Sequence, residues 1–140
     1  MNQYIDHLLA TIAYRFKVAT EHSGESLGTF DAGEGVRLPK EIVYHMYEVL
    51  IYADYRFLGS KKPDSRPETL TMVEEEKRFL DKVETLRQKI VGMDLPFDHV
   101  KPMIQGPLAD VLTHIGQIAM LSRLHGRPIQ GQNYSKAKLN

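Results

Sequence analysis

Four times along this chain, apolar residues return at spacings of three and four, and each time glycine or proline breaks the pattern. That period gathers the apolar groups on one face of an α-helix. In residues 2–20 the face is made by Ile5, Leu8, Leu9, Ile12, Ala13, Phe16 and Ala19. In residues 40–58 it is Ile42, Val43, Met46, Val49, Leu50, Ala53 and Phe57. Pro39, just ahead, suits a first helical turn, where its missing N–H would be unpaired anyway. Residues 68–91 offer Leu70, Val73, Leu80, Val83, Leu86 and Ile90, with Glu74, Glu75 and Glu76 turned to water. Residues 107–125, opening at Gly106-Pro107, offer Leu108, Val111, Leu112, Ile115, Ile118, Ala119 and Leu121. No segment sustains the period of two that a half-buried strand needs. Four narrow stripes bury themselves most readily against one another, so the sequence predicts an all-α four-helix bundle.

The stretches between these segments lack a period. Residues 21–37 hold Gly24, Gly28, Gly33 and Gly35 and read as a long loop. Residues 93–105, with Pro96 and Pro102, read as a second loop, and the polar stretch 128–140 as an extended tail. The 140 residues suit one domain, 1–140. Eighteen basic and eighteen acidic residues cancel, which gives no electrostatic reason for a nucleic-acid or anionic-membrane partner. There is no cysteine, so disulfides, thiolate zinc sites and cysteine nucleophiles are excluded. The first ten residues carry Asp6 and His7 and do not resemble a signal peptide. No apolar run approaches the roughly 20 residues that span a bilayer. The expectation is a cytoplasmic protein without a membrane partner.

Three polar residues interrupt the apolar faces. His45 follows Ile42 by three and precedes Val49 by four, which points it inward. Asp110 and His114 are four apart and stack on one helix face, flanked by Pro107, Val111 and Ile118. The plainer reading of that spacing is a hydrogen-bonded Asp–His pair and a packed core histidine. The sharper one is a divalent-cation site on two helices. Imidazole and carboxylate favour Zn, Ni, Mn or Fe over Ca or Mg, and three protein ligands leave coordination positions open.

The run from Asp110 through His114, Gly116, Gln117, Ile118 and Arg123 to Gly126 resembles the last helix of the DinB-like superfamily, which reads His-x-x-x-His-x-Gly-Gln-Ile and ends at a glycine after a Leu/Arg-rich turn. Arg127-Pro128-Ile129 and Asn133-Tyr134 are similar to that family's C-terminal segment, and Tyr44-His45 matches the place of its first histidine. The resemblance implies a four-helix bundle with a variant of up-and-down topology, a homodimer, and a metal held by His45, Asp110 and His114. Aspartate stands where the family has its remaining histidine. The implied chemistry is that of a metalloenzyme, a thiol-dependent S-transferase or hydrolase acting on a small molecule. The alternative is a non-catalytic dimeric bundle that has lost the metal.

Other polar residues have weaker claims. Glu48, three after His45, reads as a salt-bridged carboxylate or as a general base. Arg123 reads as a group for an anionic substrate or as a C-terminal helix charge. Tyr44, Tyr47, Tyr52 and Tyr55 read as core, as dimer contacts or as a pocket wall. Gly116, inside a helix, predicts the close approach of a neighbouring helix.

Overall fold

A computed structural model describes residues 2–139, and it is all-helical, with no strand among the described residues. Four long helices carry the expected stripes: α1 (Asn2–Ala19), α3 (Pro39–Phe57), α4 (Met72–Ile90) and α6 (Ala109–Leu124). Two short ones, α2 (Gly24–Gly28) and α5 (Phe97–Met103), lie between them. Helix α1 packs on α4 and α6, and α3 packs on the same two, so α1 and α3 stand at opposite corners. Ile5, Leu9, Ile12 and Phe16 of α1 meet Val43, Met46 and Leu50 of α3 in a core with no solvent contact to speak of. Phe16 and Phe79 pack ring on ring at 4.5 Å. No helix among the described residues is long and apolar enough to cross a membrane.

Several expectations need correction, each for a local physical reason. The third long helix starts at Met72, not at residue 68. Thr71 and Glu74 cap it reciprocally: the Glu74 amide donates to Thr71 Oγ1 at 3.5 Å and the Thr71 amide to Glu74 Oε1 at 3.3 Å. In the first turns the buried face is Met72, Glu75 and Phe79, so Val73 is 49% exposed, while Val83, Leu86 and Ile90 are buried as expected.

The three glutamates do not share a watery face. Glu74 caps the helix, while Glu75 is 1% exposed and accepts from Arg78 Nη2 at 2.6 Å and from the Leu70 amide at 2.9 Å. Glu76 accepts from the buried Ser23 hydroxyl. Burial, helped by the nearby Glu25 charge, pushes its pKa above the usual carboxylate value, and the Ser23 bond opposes this only in part.

The expected loop at 21–37 contains α2, whose Leu27 is fully buried. Gly28 is the close approach that Gly116 is not. A Cβ on Gly28 would lie 2.5 Å from Met72 Cβ, whereas one on Gly116 would meet nothing within 4 Å. The expected tail at 128–140 contains a 3₁₀ turn, Tyr134–Lys136, docked on α1. There Arg15 lies over the Tyr134 ring at 3.6 Å, and Tyr14 Oη donates to Gln132 Oε1 at 2.7 Å.

The largest departure concerns the last helix. Instead of a loop to residue 105 and a start at Gly106-Pro107, α5 begins after Pro96 and runs without a break through a π-helical turn, Ile104–Leu108, into α6. Pro107 sits inside that turn. It cannot donate to the carbonyl one turn back, and its ring crowds that carbonyl; a wider turn accommodates both.

Buried charge ties the helices together. Asp54 of α3, 6% exposed, accepts from Lys82 Nζ at 2.8 Å, Lys89 Nζ at 2.5 Å and Ser60 Oγ at 2.8 Å. Burial alone would raise its pKa, but these donors outweigh burial and hold it below the usual aspartate value. Arg87 of α4 grips Asp6 of α1 through two bonds, at 2.8 and 3.2 Å, and lowers that carboxyl as well.

Two outcomes follow from this packing. Gly28→Ala should cost about 1–3 kcal/mol of stability, read by denaturant unfolding, because Met72 has to move. A cost near zero would show that the Gly28–Met72 contact is loose. Asp54 has a folded pKa below its unfolded value of 3.8, so its stabilisation is complete above that value and is lost as pH falls through the folded one. Asp54→Asn should therefore cost about 3 kcal/mol near neutrality and flatten the acid limb of the stability curve.

Candidate metal centre

His45 leaves the second turn of α3, and Asp110 and His114 leave the first two turns of α6. Because α3 and α6 pack together, the three side chains converge. One ligand atom from each lies within 4.8 Å of the others, and among the described residues this is the one such group of three. Asp110 Oδ2 is 3.3 Å from His114 Nε2 and 3.7 Å from His45 Nε2. The imidazole rings stand edge to face at 4.9 Å.

The group does not face the core, as the spacing predicted. The side chains of His45, Asp110 and His114 are 34%, 46% and 13% exposed. His45 and Asp110, but not His114, line a cleft of about 840 Å³ between α3 and the π turn, with Gly106 and Pro107 among its other residues. The far wall is apolar, with Val49, Tyr52, Phe57 and Pro102. The turn that accommodates Pro107 leaves this gap, and Asp110 follows three residues later at its edge.

Sequence reasoning gave Gln117 no role beyond its place in a motif. Its Oε1 lies 2.8 Å from His114 Nδ1. In the tautomer that a carbonyl partner favours, Nδ1 carries the proton and Nε2 keeps its lone pair. The sequence signal was present: a glutamine three residues after a helical histidine shares its face. Neither imidazole–Asp110 contact has hydrogen-bond geometry. His114 Nε2 and Asp110 Oδ2 stand 3.3 Å apart. His45 is held below the usual histidine pKa chiefly by burial, then by His114 and Arg37, against the opposite pull of Asp110 and Glu48.

The remaining candidates fall outside this centre. Glu48 lines the cleft, but Arg66 holds both its oxygens at 2.9 Å, so the salt-bridge reading stands. Arg123 is exposed near the end of α6 and does not line the cleft. Of the four tyrosines only Tyr52 is in the cleft wall. Tyr44 donates to the Pro67 carbonyl at 2.7 Å, and Arg78 lies over the Tyr47 ring at 4.4 Å.

No family model, curated protein or solved structure matches the chain.

Gln117→Leu removes the acceptor and should convert His114 from the Nδ1–H tautomer to a mixture. Long-range proton–nitrogen correlation NMR of the metal-free protein reads this directly. An unchanged tautomer would show that Gln117 does not set it.

Proposed function

We propose that this chain is a divalent-metal-dependent enzyme of the DinB-like type, acting by transfer or hydrolysis on a small-molecule thiol adduct. The supporting observation is the convergence of His45, Asp110 and His114, one ligand atom of each within 4.8 Å of the others. Ligands of a tetrahedral cation at Zn distances stand about 3.3–3.5 Å apart, and the observed 3.3 and 3.7 Å bracket that range. Two imidazoles and one carboxylate suit Zn, Ni, Mn or Fe.

In this reading His45, Asp110 and His114 hold the metal, and Gln117 keeps the His114 donor atom unprotonated. When bound, the cation supplies Lewis acidity, lowering the pKa of a thiol or water that takes an open position. The cleft receives the rest of the substrate, its apolar part against Tyr52, Phe57 and Pro102. Glu48, locked by Arg66, shapes the wall instead of moving a proton. The four long helices are read as the DinB-like bundle, with the diagonal placement of α1 and α3 as its departure from simple up-and-down order. The same reading carries a homodimer.

The test is metal uptake. Protein purified gently and resupplied with Zn, Ni and Mn should bind one equivalent of at least one of them by elemental analysis. Saturating metal should raise the melting temperature by about 5–10 °C. His114→Ala should abolish that rise, and Gln117→Leu should weaken the metal about 10–100-fold. If no stoichiometric metal is taken up, the proposal fails. A non-catalytic bundle instead predicts that His114→Ala lowers stability equally with and without chelator.

A further inference from the structure

A second recess, of about 350 Å³, adjoins the first cleft and shares His45 and Glu48 with it. His45, one of the three candidate ligands, lines both, so the recess adjoins the candidate metal centre at that residue. Its charged lining is Arg37, Lys40, Arg66, Glu41, Glu48 and Glu75.

The ion pairs sort these groups. Glu48 and Arg66 cancel through two bonds at 2.9 Å. Glu75 is cancelled by Arg78, 2.6 Å away. Glu41 accepts the Leu38 amide at 2.8 Å at the start of α3. Arg37 and Lys40 have no carboxylate partner among the described residues. Two cations therefore face one carboxylate already in use, an excess of one positive charge beside the centre. Arg37 is exposed and Lys40 half-buried, so both ends can move to meet a group entering the recess.

Resting on the metal-site reading above, we propose that the recess binds a carboxylate of the same small molecule whose donor atom meets His45, Asp110 and His114. The substrate class is then a thiol or thiol adduct that bears an acid group a short chain away. A monoanion fits the charge count better than a dianion such as a phosphate monoester, because Glu41 and Glu48 stand in the same recess. Arginine and lysine together supply a forked and a point-like donor, enough for both oxygens of one carboxylate.

The probe is a series of ω-mercapto acids of increasing chain length, each against the ω-mercapto alcohol of the same length. Zinc-loaded protein is titrated with each by calorimetry at low salt, and cobalt-loaded protein is followed by its absorption spectrum. One acid in the series should bind about tenfold more tightly than its alcohol. The preference should shrink as salt rises, because Arg37 is exposed. In Arg37→Gln/Lys40→Gln protein the acid should fall to the affinity of the alcohol, with zinc uptake and the spectral change on thiol binding retained.

Acids and alcohols binding equally at every length would overturn the carboxylate site and leave the metal reading standing. A preference that survives the double variant would overturn the assignment to Arg37 and Lys40. Tighter binding of a mercaptoalkyl phosphate than of any acid would overturn the choice of a monoanion. Absence of zinc uptake by the wild-type chain, measured first, would remove the metal reading and this inference with it.

Discussion

Pro107 has no N–H to offer the carbonyl one turn behind it, yet the helix continues past it. This one constraint shapes the functional end of the molecule. A regular helix would press its side chains against α3 along its whole length. The π turn at Ile104–Leu108 instead widens the backbone and puts Gly106 and Pro107 where larger side chains would have closed the gap. The gap is the cleft, and Asp110 stands at its edge because it follows Pro107 by less than one turn. A π turn inside a long helix costs regular hydrogen bonding, and such turns gather at functional sites for that reason. Here the cost is localised where three metal-type ligands meet.

The electrostatics point to the same place by elimination. Buried carboxylates need partners, and Asp54 and Glu75 have them, as does the half-exposed Asp6. Asp54 has two lysines and a serine, Glu75 an arginine and an amide, and Asp6 a forked arginine. The guanidinium of Arg78 has one nitrogen without a partner, but its face lies on Tyr47 and its other nitrogens are bonded. Asp110 differs in kind. Two imidazoles lie within 3.7 Å of it, one bonded through Nδ1 to Gln117 and the other held below the usual histidine pKa mainly by burial. A half-exposed acid between two imidazoles sets Asp110 apart from the carboxylates bonded to lysine or arginine.

Much of this was legible in the sequence. The apolar periods gave all four long helices, because burial of one face is a long, redundant signal. The spacing of Asp110 and His114, with His45 on a second helix, gave the converging group. What escaped depends on single residues. Thr71 and Glu74 spell a capping box, yet the apolar Leu70 carried the reading of the helix start four residues too early. The stripe drawn through Leu70 and Val73 missed Phe79 and put Glu75 in water, although its later members Val83, Leu86 and Ile90 are buried as expected. Pro107 was read as a first-turn proline, its commonest helical place, and only the tertiary fit of α5 behind it makes it internal. Gly116 was read as a contact glycine, but its face is open. Glycine records that a Cβ is absent, not why.

The aspartate in place of an imidazole has a chemical consequence. The concern with a shorter side chain is reach, and at 3.3 and 3.7 Å from the two nitrogens Asp110 Oδ2 has it. The charge matters more. In the proposed reading, three neutral imidazoles would leave a divalent cation with its full charge, whereas one carboxylate halves it. A centre so neutralised pulls less on an anionic substrate, and the attraction has to come from elsewhere. Arg37 and Lys40, without carboxylate partners in the adjoining recess, supply it at a distance from the metal. There it orients the molecule without competing for the coordination sphere. In the proposed reading the aspartate ligand and the cations without carboxylate partners are parts of one arrangement: charge moved from the reacting atom to the handle by which the substrate would be held.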